Sequence, residues 1–164
     1  CDDTSAAISP AGSEVCDLFD VDEDCDGDAD DADGSATGQS TWYADDDGDG
    51  YGDPAVSSDA CDAASGQVAD SSDCYDGNGD ACPTHADYET FDRGDGSFDY
   101  DCDGAETQKY PSLGSCSSAC TLTSGWVTTV PACGDTGTWL SGCKSAGASG
   151  GCKETTTTKT QSCL

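Results

Sequence analysis

Asp22-Glu23-Asp24-Cys25-Asp26-Gly27-Asp28-Ala29-Asp30-Asp31-Ala32-Asp33 carries carboxylates at positions 1, 3, 5, 9 and 12 of a twelve-residue stretch, with glycine at position 6. Alternate residues of a tight loop turn their side chains toward one centre. This spacing therefore gathers oxygen ligands for a hard cation such as calcium, and glycine permits the sharp turn. The pattern returns as Asp45-x-Asp47-x-Asp49-Gly50-x-x-Asp53 and as Asp99-x-Asp101-x-Asp103-Gly104. Three such loops point to several calcium ions held as structural components.

The first loop is complete, with Asp22, Asp24, Asp26, Asp30 and Asp33 as side-chain ligands and the Asp28 carbonyl at position 7. The second supplies Asp45, Asp47, Asp49, the Tyr51 carbonyl and Asp53, but has Val56 at position 12. The third supplies Asp99, Asp101, Asp103 and the Ala105 carbonyl, with Thr107 and Tyr110 where carboxylates are expected. Asp73, Asp76, Asn78, Asp80 and Glu89 either complete that third loop or form a fourth site. Magnesium suits these loops less well, because it demands strict octahedral geometry and keeps its water.

Composition makes the cation reading necessary. The chain has 164 residues and a formal charge of −29, yet Ile, Leu, Val and Phe total only 15. So few large aliphatics cannot offset the conformational entropy of folding, and such a composition ordinarily means disorder. Thirteen cysteines and the carboxylate clusters are the remaining stabilisers. That many cysteines imply an oxidising, extracellular setting; zinc fingers would need paired Cys-x-x-Cys clusters, which are missing. The acidic surface disfavours nucleic acid and anionic membrane as partners, and no segment reads as a signal peptide or membrane span. The absence of methionine suggests a mature product or a piece of a longer precursor.

Charge also divides the chain. Residues 1–106 hold 32 acids and one base, Arg93, whereas residues 107–164 hold two acids and four lysines. A boundary is expected near residues 106–112, separating an acidic calcium-binding repeat domain (1–106) from a small disulfide-rich all-β domain (107–164). Within the acidic part, Cys1-Asp2-Asp3 with Pro10, Glu14 and Asp17 aligns with Cys74-Tyr75-Asp76 with Pro83, Glu89 and Asp92. Gly, Asp and Ser favour turns there, with short strands at 40–44 and 66–69. Further strands are expected at 125–130, 137–140 and 153–162; the Thr-rich run from Thr155 to Thr160 reads either as a strand with one solvated face or as a flexible, O-glycosylated tail. Trp126 and Trp139 serve either as core or as sugar-stacking platforms.

The elements Cys16–Gly27, Trp42–Gly52 and Asp73–Asn78 resemble the acidic metal-binding (MopE-like) repeats of secreted bacterial proteins, and are similar to thrombospondin type 3 calcium repeats. The resemblance covers residues 1–106 and implies an irregular, calcium- and disulfide-supported extracellular architecture. Residues 107–164 faintly resemble the small Trp- and Cys-rich thrombospondin type 1 module. Phe91 stands where the repeat would place a second copy of Cys16, Cys82 is extra, and Leu18 replaces a glycine. From these departures follows an expected disulfide map of Cys16–Cys25, Cys61–Cys74 and Cys82–Cys102. Three more bridges are expected among Cys116, Cys120, Cys133, Cys143, Cys152 and Cys163. Cys1 is then left over, as a cleavage edge, a link to a neighbouring molecule, or a lipidated first residue.

No catalytic constellation is recognisable, and His85, the lone histidine, has no evident nucleophile partner. The leading expectation is a secreted calcium-binding structural or adhesive extracellular protein, of the kind that serves as a subunit of a surface filament or repeat array. One alternative is a stalk presenting a glycan- or protein-binding C-terminal module. Another is a calcium- or copper-handling protein, for which His85 and Trp42 would be the copper candidates.

Overall fold

A computed structural model of the chain describes residues 4–147 and 150–164; the expectations for Cys1 lie outside them. Strands and loops dominate, with a short 3-10 turn at Asp30–Ala32. No helix among the described residues is long and apolar enough to cross a membrane. Two compact units form, Cys1–Gly79 and Asp80–Leu164.

In the first unit, β1 (Ser40–Ala44) lies between β2 (Ser57–Ala60) and β3 (Gln67–Val68), both antiparallel to it. The second acidic loop is the connection from β1 to β2. The chain closes onto it through main-chain bonds from Asp53 to the Ala44 carbonyl (2.8 Å), from Gly52 to the Asp70 carbonyl (3.1 Å) and from Asp73 to the Gly52 carbonyl (3.2 Å). Gly52 is required at this crossing, because a Cβ there would meet the Tyr43 Cβ at 2.6 Å. Burial in this unit is inverted relative to an ordinary domain. Among its described residues, those classed as buried are Glu14, Asp30, Asp33, Gly52 and Asp73, while Leu18 and Phe19 are 86% and 81% exposed.

The second unit has an apolar centre. β6 (Gly125–Trp126), β7 (Thr136–Ser145) and β8 (Cys152–Thr160) form an antiparallel sheet in that order, beside a hairpin of β4 (Ser115–Cys116) and β5 (Leu122–Thr123). Trp126 is fully buried against Trp139, their rings 5.2 Å apart and edge-on, and its indole N–H donates to the Tyr110 carbonyl at 2.7 Å. Lys159 reaches over Tyr110 and Trp139, 3.3 and 4.0 Å from the ring centres. Trp126 thus acts as core here, with Trp139 half-buried beside it, and the Thr-rich run is strand, paired with β7 from Thr136 to Ser145. The boundary expected near residue 106 falls inside this unit. Glu89 and Cys163 exchange main-chain bonds at 2.8 Å, and Thr107 and Leu164 do so at 2.6 and 3.0 Å. Such ladder pairing, which net charge does not report, draws residues 80–106 to the C-terminal strands.

The expected disulfide map requires correction. Cys16 bonds Cys61, not Cys25, and Cys61 is therefore unavailable to Cys74. Cys82 is free and buried, whereas Cys102, its expected partner, is disulfide-bonded, as are Cys25 and Cys74. The error lies in pairing neighbours along the chain: Cys16 meets Cys61 because main-chain bonds from Thr37 to Glu14 (3.0 Å) and from Cys16 to Thr37 (2.9 Å) fold residues 14–16 beside 37, ahead of β1 and β2. The C-terminal six do pair among themselves, as Cys116–Cys143, Cys120–Cys152 and Cys133–Cys163.

Candidate metal centres

The three acidic loops share one backbone. Position 4 is left-handed in each, at Cys25 (φ 61°), Gly48 (φ 81°) and Cys102 (φ 57°), and so is the position-6 glycine, at Gly27 (107°), Gly50 (94°) and Gly104 (88°). Hydrogen bonds repeat with it. The position-6 N–H donates to the position-1 carboxylate in all three: Gly27 to Asp22 at 3.2 Å, Gly50 to Asp45 at 3.2 Å, Gly104 to Asp99 at 3.1 Å. The position-7 N–H donates to the position-5 carboxylate: Asp28 to Asp26 at 2.9 Å, Tyr51 to Asp49 at 2.8 Å, Ala105 to Asp103 at 2.8 Å. One oxygen of each such carboxylate is thereby fixed, and the geometry orients its partner oxygen.

Carboxylate oxygens in and beside these loops are orphaned. Asp22 Oδ1, Asp47 Oδ2, Asp49 Oδ2, Asp73 Oδ2 and Asp101 Oδ1 are buried without a hydrogen-bond partner. A buried, unpaired carboxylate oxygen is costly unless a cation takes it. The donor set is all hard oxygen, which fits a cation of the calcium or magnesium class.

In the first loop, oxygens of Asp24 and Asp33 lie with one of Glu14 within 4.8 Å of each other. Ligands at 2.3–2.6 Å on opposite sides of a calcium ion stand about 4.6–5.2 Å apart, so all three fit one ion. Glu14, only 1% exposed, was missed as a ligand because it lies eight residues before the loop; its place in the repeat, opposite Glu89, was the available signal. It also accepts the Glu23 and Asp30 N–H groups at 2.9 and 3.1 Å, so it orders the loop's entry and exit together. Asp30 is a correction: its side chain leaves position 9 to accept the Asp17 N–H at 3.0 Å and to join Asp20 and Asp62.

In the second loop, Asp73 and Asp76 stand where the loop itself runs short. The spacing places them with the third loop or in a separate site; instead they face Asp45, Asp47 and Asp49. Burial and then repulsion from Asp49 raise the Asp47 carboxyl above its ordinary range, with Asp76 and Asp45 adding to it. Burial likewise raises Asp73, against a lowering bond from the Tyr75 N–H, with Asp49, Asp47 and Asp76 pushing the same way as burial. Asp76 also accepts the Asp46 N–H at 2.7 Å, and Asp53 lines the same cleft as Asp73 and Asp76.

The third loop is cut short by the fold. Thr107 is taken into pairing with Leu164, and Tyr110 packs edge-on against Trp139, 5.1 Å between ring centres. Arg93 donates to the Asp99 carbonyl at 2.6 Å. Of the proposed auxiliary ligands, Glu89 faces His85 at 3.8 Å, and the Asn78 N–H closes a turn on the Tyr75 carbonyl at 3.2 Å. Of the copper candidates, the Trp42 indole donates to the Ala60 carbonyl at 3.1 Å, and His85 lies against the Tyr100 ring with its Nε2 buried and without a hydrogen-bond partner. The close sulfur groups, such as Cys116, Cys143 and Cys152, are disulfide sulfurs and offer no thiolate.

A pH dependence follows. Asp24, like Asp47 and Asp73, is raised in the cation-free protein, by burial first and by Asp26, Asp33 and Glu14 among its neighbours. The folded, cation-free protein then binds protons more tightly than the unfolded chain. These groups should add stability as pH falls from neutral through their raised values, levelling off below about 4, the unfolded carboxyl range, while the exposed Asp70 and Asp95, held low by Ser72 and Arg93, contribute with the opposite sign. With cation bound the slope should reverse, because acid protonates the ligands and releases the ion. Melting temperature against pH, with and without added calcium, checks for the opposite slopes; parallel slopes would refute them.

No family model matches the chain, and no curated protein or solved structure does either.

Proposed function

We propose that this is a secreted, calcium-binding structural protein in which bound ions replace the apolar core of the N-terminal unit. The observation that carries the reading is the interior of that unit: its buried side chains are Glu14, Asp30, Asp33 and Asp73. Carboxylates are the worst side chains to bury unless cations neutralise them. Glu14, Asp24 and Asp33, with Asp22, would hold one ion. Asp45, Asp47, Asp49, Asp73 and Asp76 would hold another, and Asp99, Asp101 and Asp103 a third with ligands shared with solvent. The ion's contribution is charge neutralisation and cross-linking of distant segments. The resemblance to MopE-like and thrombospondin type 3 repeats supports calcium, and the disulfide density fits an extracellular setting. A role in a surface array or adhesion follows from rigidity of this kind, since ion-stapled modules resist proteolysis and extension.

Asp73→Asn is the discriminating variant, because Asp73 arrives from outside the loop and is 4% exposed. Calorimetric titration with calcium should show saturable binding to the wild type, and loss of one ion or at least tenfold weaker binding at one site in the variant. Absence of saturable binding in the wild type refutes the reading. The array role is tested on the same samples by electron microscopy: assemblies that disperse when calcium is withdrawn support it, and particles that stay monodisperse at every calcium level refute it.

A further inference from the structure

Outside the three loop centres, Asp20, Asp30 and Asp62 bring one carboxylate oxygen each to within 4.8 Å of one another. They come from three separate segments. Asp20 precedes the first loop, Asp30 opens the 3-10 turn, and Asp62 follows Cys61 directly. The Cys16–Cys61 bridge ties the first segment to the third. Asp31 secures the third to the 3-10 turn, accepting the Cys61 and Asp62 N–H groups at 2.6 and 3.2 Å.

Asp30 is the observation that points to a ligand. It is 3% exposed, its Oδ1 accepts the Asp17 N–H, its Oδ2 is buried with no N–H or O–H donor, and its carboxylate lies within hydrogen-bonding reach of the Asp20 carboxylate, an arrangement that two ionised acids cannot keep without a proton or a cation between them. No positive side chain is paired with it. A carboxylate held in this way between two others needs a proton or a cation to neutralise the group. Two of the three acids, Asp20 and Asp62, are exposed, so water can complete a coordination shell. The nearby sulfurs of Cys16 and Cys61 are oxidised and are poor donors, so the site's chemistry is that of hard oxygen.

We propose that Asp20, Asp30 and Asp62 form a further divalent-cation site, separate from the loop centres, that clamps the Cys16–Cys61 junction. It shares the preference for a hard cation with the reading above but uses none of the same ligands. Three segments that the disulfide brings near each other are then locked by the ion into one geometry.

Native mass spectrometry of the disulfide-intact protein, sprayed from a volatile buffer with calcium, counts the ions. Asp20→Asn with Asp62→Asn changes two exposed side chains and leaves the loops intact; Asp47→Asn with Asp73→Asn removes ligands of the second loop alone. Each pair should lose one calcium relative to wild type, and the four substitutions together should lose two. An unchanged calcium count for the Asp20/Asp62 pair overturns the proposal, whatever the loop pair does. Loss of an ion in that pair with no loss in the loop pair overturns the loop reading instead, and leaves this site standing.

Discussion

Withdrawing divalent cations while leaving the disulfides oxidised should unfold the N-terminal unit and spare much of the C-terminal one. Each ion that binds only the folded state adds RT ln(1 + [L]/Kd). At calcium tenfold above Kd, as for an extracellular module of ~10⁻⁴ M affinity in millimolar calcium, that is about 1.4 kcal/mol per ion. Two loop centres in a unit of this size then correspond to a fall of roughly 10–20 °C in melting temperature. Cation loss also leaves Glu14, Asp33 and Asp73 buried and unneutralised, which pushes the change upward. The second unit has Trp126 and Leu140 at its centre and three bridges of its own. Limited proteolysis should therefore cut within residues 4–79 first, while the fluorescence of Trp126 and Trp139 changes little. Equal protection of both units, with an unchanged scattering radius, would sink the cation account.

The contrast between the units explains which parts were legible in the sequence. Loop chemistry is local: Asp-x-Asp-x-Asp-Gly dictates both the turn and the inward-facing oxygens, so the loops appear where the spacing places them. Strand β1 is equally local, and the Ser40–Ala44 segment carries its own alternation and aromatic pair. What failed was long-range. Asp73 reaches the second loop through main-chain bonds that pin residues 70–73 to Gly52, and no spacing rule reports that. Asp30 obeys the position-9 spacing yet turns away, because Glu14 holds its N–H and Asp17 takes its carboxylate. Asp20 and Asp62 carry no motif at all; only the bridge between Cys16 and Cys61 makes them neighbours. The repeat did carry usable information, since Asp17 and its equivalent Asp92 each accept an N–H two residues on, from Phe19 and Gly94.

Replacing Cys16 and Cys61 with serine should be the most damaging covalent change in the N-terminal unit. The bridge spans 45 residues of sequence, and closing a loop of that length restricts the unfolded chain by about 4 kcal/mol in the chain-entropy description. In a unit of this size that corresponds to roughly 15–30 °C in melting temperature. Its loss should also lower calcium affinity, because Asp62 follows Cys61 and Asp31 grips both of their N–H groups. The two stabilisers are therefore coupled, and a cycle comparing the variant with and without calcium should show calcium raising the melting temperature less in the variant than in wild type. Cys82→Ser is the control. Its thiol is unbridged and lies 3.5 Å from the Thr84 hydroxyl, so the calcium response should be unaltered and any loss of stability about 1 kcal/mol or less. An equal calcium-induced shift in wild type and in the Cys16/Cys61 variant would mean that bridge and ions act independently. The carboxylates would then be held in place by the loop backbones alone.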